Sequence, residues 1–140
     1  MRGCPRTIHP LILPAMFRLA FALALLPLAA SADLPFDTVF KGRGKFDALV
    51  AKADAWKALP IGERTAAVGQ ALVGTRYKSF TLEIDDRVEA PSVNLDGLDC
   101  WTFFESALAF ARMLDEPREN WSPQTMLGYI ERDQIGRAHV

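Results

Sequence analysis

Two residues of this 140-residue sequence are cysteines, Cys4 and Cys100, and only Cys100 stands where a thiol can do covalent chemistry. It follows Asn94-Leu95-Asp96-Gly97-Leu98-Asp99 and opens the apolar run Trp101-Thr102-Phe103-Phe104-Glu105-Ser106-Ala107-Leu108-Ala109-Phe110. In the first turn of a helix, partial positive charge from unpaired backbone N–H groups favours the thiolate over the thiol. A cysteine taken by itself is more often inert core than nucleophile. Here the preceding turn, Asp99 and the apolar helix that follows reverse that expectation. A cysteine nucleophile also needs a base, usually histidine. The sequence holds only His9 and His139, one near each terminus.

Other side chains have a simpler role beside any chemical one. Tyr77 follows Gly74 by three residues, and its hydroxyl could donate a hydrogen bond near the thiolate; an aromatic at a strand start is the competing reading. Trp56, Trp101 and Trp121 offer stacking surfaces for sugar rings. Trp56 lies on a helical apolar face and reads as core, whereas Trp101 flanks the thiol and suits a substrate cleft. Glu83, Asp85 and Asp86 lack the spacing of a calcium loop and read as a solvated turn. Lys41-Gly42-Arg43-Gly44-Lys45 lacks the Gly-Lys-Ser/Thr ending of a phosphate cradle and reads as a flexible basic linker.

The elements that would position these residues follow from periodicity. Residues 33–45 read as a linker interrupted by Pro35, Gly42 and Gly44. Phe46, Leu49, Val50, Ala53 and Trp56 recur at helical steps and predict a helix over 45–59, stopped by Pro60. A second helix is expected over 62–73, ended by Gly74. From Tyr77 the period changes: Phe80, Leu82 and Ile84 alternate with Ser79, Thr81, Glu83 and Asp85, the pattern of a half-buried strand. Val93 and Leu95 mark a short extended piece. The helix after Cys100 is apolar on most sides, which places it centrally, and Pro117 ends it. Ser122 and Pro123 suit the cap and first position of a last helix holding Leu127 and Ile130.

Both ends of the sequence read differently from the middle. Residues 17–29 are almost wholly apolar, Arg18 precedes most of them, and Ala30-Ser31-Ala32 follows. That is the pattern of a signal peptide over 1–32, with the start at Met1 or Met16. An N-terminal anchor helix is the competing reading, but a span needs about 20 apolar residues. Cleavage would remove Cys4 and three arginines, leaving Cys100 as the one cysteine and a net charge of about −4. A lone cysteine cannot form an internal disulfide. No basic stripe suggests nucleic acid, and no stable membrane anchor is expected after cleavage. Periplasmic or secreted export follows. At the other end, Ile135-Gly136-Arg137-Ala138-His139-Val140 matches a translated reading frame of a short-read sequencing adapter. Residues 135–140 are therefore set apart as an adapter-derived tail, and His139 is given no catalytic role.

Two strings carry a family resemblance. Leu72-Val73-Gly74-Thr75-Arg76-Tyr77 and Val93-Asn94-Leu95-Asp96-Gly97-Leu98-Asp99-Cys100-Trp101-Thr102-Phe103-Phe104-Glu105 resemble the bacterial N-acetylmuramoyl-L-alanine amidase-like family, a branch of the NlpC-type cysteine hydrolases. The resemblance covers residues 46–134. It implies an α+β, papain-like fold, with the helical N-terminal half present and most of the C-terminal antiparallel sheet missing. By position it makes Cys100 the nucleophile, with its own N–H as oxyanion donor. It puts Tyr77 and Trp101 at the oxyanion site or cleft and gives Asn94, Asp99 and Glu105 supporting roles. Trp101 replaces the usual small residue, and Arg76 replaces proline. The family's histidine lies further along, so no general base is assigned within this sequence.

The implied activity is hydrolysis of the amide between muramic acid and L-alanine in peptidoglycan or muropeptides, by the intact protein. The sequence as it stands is expected to be inactive for want of its base. A stem-peptide endopeptidase of the same clan, or a non-catalytic periplasmic binding module, are the alternatives. No cofactor or metal is expected, since the histidine ligands of zinc amidases are absent.

Overall fold

The computed structural model describes residues 34–81, 84–85 and 90–137, with side chains as far as Gln134. The signal peptide read at 1–32, the residues Leu82, Glu83 and Asp86, and His139 lie outside the described residues.

Helices and a small amount of strand are combined. In chain order they are α1 (Phe36–Val39), β1 (Phe40–Lys41), α2 (Arg43–Ala53), α3 (Ile61–Leu72), β2 (Val93–Asn94), α4 (Cys100–Met113), a 3-10 turn (Arg118–Asn120) and α5 (Pro123–Arg137). α4 is central and packs against α3 and α5. Ala107, Ala109, Phe110, Ala111 and Met113 of α4 are buried. The small residues let neighbouring helices approach, while Phe110 and Met113 fill the space between them. Ser122 caps α5 through its hydroxyl, which accepts from Thr125 N–H at 3.1 Å, with Pro123 at the first helical position.

β1 and β2 pair in parallel, Phe40 opposite Val93 and Lys41 opposite Asn94. Tyr77 and Leu98 form a further isolated parallel bridge. The segment 33–45, read as a linker, thus carries α1, β1 and the start of α2. Aromatic rings hold it to the core. Phe36 stacks on Phe40 at 5.7 Å, Phe40 meets Phe46 edge-on, and Phe46 meets Phe110 of α4 edge-on at 5.6 Å. Gly42 has φ +88°, and a Cβ there would stand 2.7 Å from that of Leu95. Glycine is needed at that turn both for its backbone angle and for the close approach.

α2 ends at Ala53 rather than at 59, and residues 54–58 continue as turns. Arg64, buried in the first turn of α3, holds that connection. Its Nη2 donates to the carbonyls of Lys57 at 2.9 Å and Leu59 at 3.1 Å. Its Nη1 donates to Ala111 O at 2.8 Å and to Asp115 at 2.6 Å. One guanidinium therefore ties the α2–α3 connection to the C-terminal end of α4. Nothing in the apolar periodicity marks this role for Arg64.

The strand expected from Tyr77 onward is not present among the described residues. Phe80 adopts φ +57°, a left-handed angle that interrupts extended backbone. The alternation is also inverted. Phe80, placed on the buried face by the pattern, is 92% exposed, and Thr81, placed on the polar face, is 6% exposed. Thr81 turns inward because it finds a carboxylate there, that of Asp99.

Arg64→Ala should destabilise the protein by about 2–4 kcal/mol, because it leaves three carbonyls without their donor and opens space beside α4. Asp115→Ala should cost less than about 1 kcal/mol, since that carboxylate is mostly exposed. Denaturant unfolding of both variants checks the difference.

Candidate active site

Cys100 is the first residue of α4, and its side chain is exposed and unpaired with any other cysteine. What places it there is the cap built by Asp99. The Asp99 carboxylate accepts from Thr102 N–H at 2.8 Å, and Asp99 N–H donates back to the Thr102 hydroxyl at 3.0 Å. This reciprocal pair is a capping box. The second carboxylate oxygen accepts from the Thr81 hydroxyl at 3.1 Å. The Thr81 and Thr102 hydroxyls are themselves 2.8 Å apart. Burial alone would raise the Asp99 carboxyl; the hydrogen bonds from Thr102 and Thr81 outweigh it and hold the group below its ordinary value.

The cap consumes Thr102 N–H and leaves that of Cys100 without an acceptor among the described residues. A carbonyl oxygen arriving beside the thiol would therefore meet an unused donor at a helix N-terminus. That is the arrangement an oxyanion needs.

A cleft of about 220 Å³ opens beside Cys100, with walls from the 72–75 turn, Tyr77, Leu98, Asp99 and Phe103. Gly74, at φ +87°, carries the chain past the end of α3 into this wall. Tyr77 is held by backbone bonds on either side of it, from Leu98 N–H to Arg76 O at 3.1 Å and from Lys78 N–H to Leu98 O at 3.0 Å. Its side chain is 70% exposed. Tyr77 and Cys100 line one cleft, and no hydrogen bond joins their side chains.

The remaining expected site residues are distributed around this centre. Asn94 sits in the approach, where its side-chain oxygen accepts from Asp96 N–H at 3.2 Å and shapes the turn leading to Cys100. Trp101 does not line the Cys100 cleft, contrary to its expected place there. It borders a separate cavity of about 290 Å³ with Phe104, Glu105, Leu108, Arg112 and Asp133. Consecutive helical residues point about 100° apart, so the residue after the nucleophile faces another side of α4. Glu105, one turn on, is buried beside that same cavity. Trp56 packs against the core. Trp121 is buried, and its indole N–H donates to Glu116 O at 3.0 Å, so neither presents a stacking face to the Cys100 cleft.

Thr81 and Thr102 are the residues that inspection of the sequence overlooked. Thr102 was legible in principle, because Asp-x-x-Thr across a helix start is a capping-box spacing. Thr81 was not, since its partner lies 18 residues away. Among the described residues no group of three or more His, Cys, Asp or Glu is arranged to hold a metal ion. No protein-family model, curated protein or solved structure matches this chain.

Because the folded Asp99 carboxyl titrates below its unfolded value, the stability it supplies is complete above about pH 4 and is lost as pH falls through the folded value. Asp99→Ala should cost about 1–3 kcal/mol at neutral pH. The difference from wild type should shrink below pH 4. Thermal unfolding across pH 2–7 tests this; a difference that stays constant down to pH 2 would mean the carboxylate is not what stabilises the helix start.

Proposed function

We propose that Cys100 is the nucleophile of a cysteine hydrolase that cleaves the amide joining muramic acid to L-alanine in peptidoglycan or muropeptides. The observation that carries the reading is the thiol at the head of a capped, central helix, exposed in a cleft beside an unused backbone donor. The resemblance of the 72–77 and 93–105 strings to the amidase-like family supports the choice of bond. The fold assigned under this reading is papain-like, and the site of action is the periplasm or cell exterior.

The chemistry runs through a thioester. The Cys100 thiolate attacks the amide carbonyl carbon, and the Cys100 N–H receives the resulting oxyanion. Collapse breaks the C–N bond, with a proton delivered to the leaving amine of L-alanine by a general acid. The same group then takes a proton from water, which attacks the thioester and releases the muramic acid carboxylate and the thiol. A histidine is the residue suited to that exchange near neutral pH, and none occurs among the described residues. The reading requires a histidine from outside the described residues. Tyr77 borders the same cleft and contacts the substrate there; Asn94, Asp99 and Glu105 act as supports.

The test begins with the gene. An open frame that continues beyond the Gln134 codon to a histidine followed by strand-forming sequence supports the proposal; a stop codon there would sink it. In the protein expressed from its complete gene, Cys100→Ala should remove measurable release of L-alanine-bearing peptide from muropeptides. Retained release would move the nucleophile elsewhere, and cleavage within the stem instead would make the protein an endopeptidase.

A further inference from the structure

The 72–75 turn lines two cavities, the Cys100 cleft and a second groove of about 210 Å³ along α2. The floor of this groove is aliphatic, formed by Ala48, Leu49 and Ala71. Its polar groups are Lys45, Lys52 and Thr75. Lys45 and Lys52 are seven residues apart on α2, two turns along one face. Lys45 Nζ donates to the Thr75 hydroxyl at 3.1 Å and to Leu95 O at 2.9 Å. Both acceptors are neutral.

These bonds have a chemical consequence. An ammonium has three N–H donors, and two of those on Lys45 are committed, which leaves one. The Thr75 oxygen accepts from Lys45, so its own hydrogen is available to donate. Lys52 adds a second positive charge and forms no ion pair among the described residues; neither does Lys45. Two cations and a hydroxyl donor thus line an aliphatic groove that contains no acidic residue. The overall charge of the protein is −1, so this is not the local expression of a basic surface. The fixed position of Lys45 reduces the side-chain ordering that a ligand would otherwise have to impose.

We infer that the groove between α2 and the 72–75 turn is a carboxylate subsite. It takes a ligand whose carboxylate is carried on a small aliphatic group, bound by Lys45, Lys52 and the Thr75 hydroxyl. Because the groove shares its wall with the Cys100 cleft, one extended ligand can occupy both. Assigning that ligand as the peptide portion of a muropeptide, whose stem bears free carboxylates, rests on the hydrolase reading; the preference for a carboxylate rests on the groove alone.

The experiment compares N-acetylmuramoyl-L-alanyl-D-glutamate with its diamide. Binding is measured on the Cys100→Ser variant of the protein expressed from its complete gene, and cleavage on the wild type. The free acid should bind about tenfold tighter than the diamide, and added salt should erode that preference. Lys52→Gln should lower free-acid affinity about three- to tenfold and leave diamide affinity unchanged. Lys52 carries the test because it is exposed and holds no other element in place, whereas Lys45→Gln also removes the bridge between Thr75 and Leu95. Equal affinity for the two compounds, no binding of either, or an unchanged preference in Lys52→Gln overturns the subsite. Cleavage of both compounds without preference overturns the subsite and leaves the hydrolase reading standing. Preferential binding of the acid without cleavage of either supports the subsite and counts against the hydrolase reading.

Discussion

The Asp99 carboxylate is the interaction on which the geometry around the thiol depends. It ends the loop from β2, starts the central helix, and gathers hydrogen bonds from two threonines on different segments. Helix starts leave several N–H groups without partners. Asp99 satisfies the one at Thr102 and leaves the one at Cys100 open. A single side chain therefore sets both features of the helix start: the helix is capped, and the donor nearest the thiol stays available. An apolar residue at this position would leave the helix start unpaired and the 78–81 segment without its inward anchor.

Around that point the molecule is fastened by a few long polar side chains rather than by an extended sheet. Lys45 joins α2 to the turn after α3 and to the loop before α4. Arg64 joins the α2–α3 connection to the far end of α4. Lys45 donates to one backbone carbonyl and Arg64 to three, and such groups are costly to bury unpaired. The aromatic series Phe36, Phe40, Phe46 and Phe110 does the corresponding apolar work, carrying the N-terminal segment onto α4. The cleft at Cys100 and the groove at Lys45 share the 72–75 turn, which Lys45 ties to the loop before α4 through Thr75 and Leu95.

Much of this architecture was legible in the sequence where neighbours in the chain are also neighbours in space. The starts of α3, α4 and α5, the glycine after α3 and the short extended piece at Val93 all follow from local patterns: apolar spacing, Pro at a helix start, Gly past a helix end. The place of Cys100 at the head of α4 was legible for the same reason, since the cap that starts that helix is made by Asp99 and Thr102 beside it. The strand read from Tyr77 onward fails at the described residues 78–81, because the alternation resembles a strand while Thr81 answers to Asp99. Phe80 faces outward with a left-handed angle, and Thr81 faces inward to a carboxylate. Trp101 was misplaced because adjacency in sequence is not adjacency in a cleft when the backbone is helical.

By itself, then, the sequence determined neither α1 nor the end of α2, but it did determine where α3, α4 and α5 begin and that the thiol heads α4. These are decided by interactions within one helical turn or one short loop, whose residue types and spacing are visible directly. Only the tertiary structure decided which side chains meet across long separations: Thr81 with Asp99, Lys45 with Thr75, Arg64 with Ala111. It alone sorted Tyr77 into the Cys100 cleft and Trp101 out of it. Those outcomes depend on how α2, α3 and α4 pack and on which buried polar groups then lack a partner, and no local pattern encodes that demand.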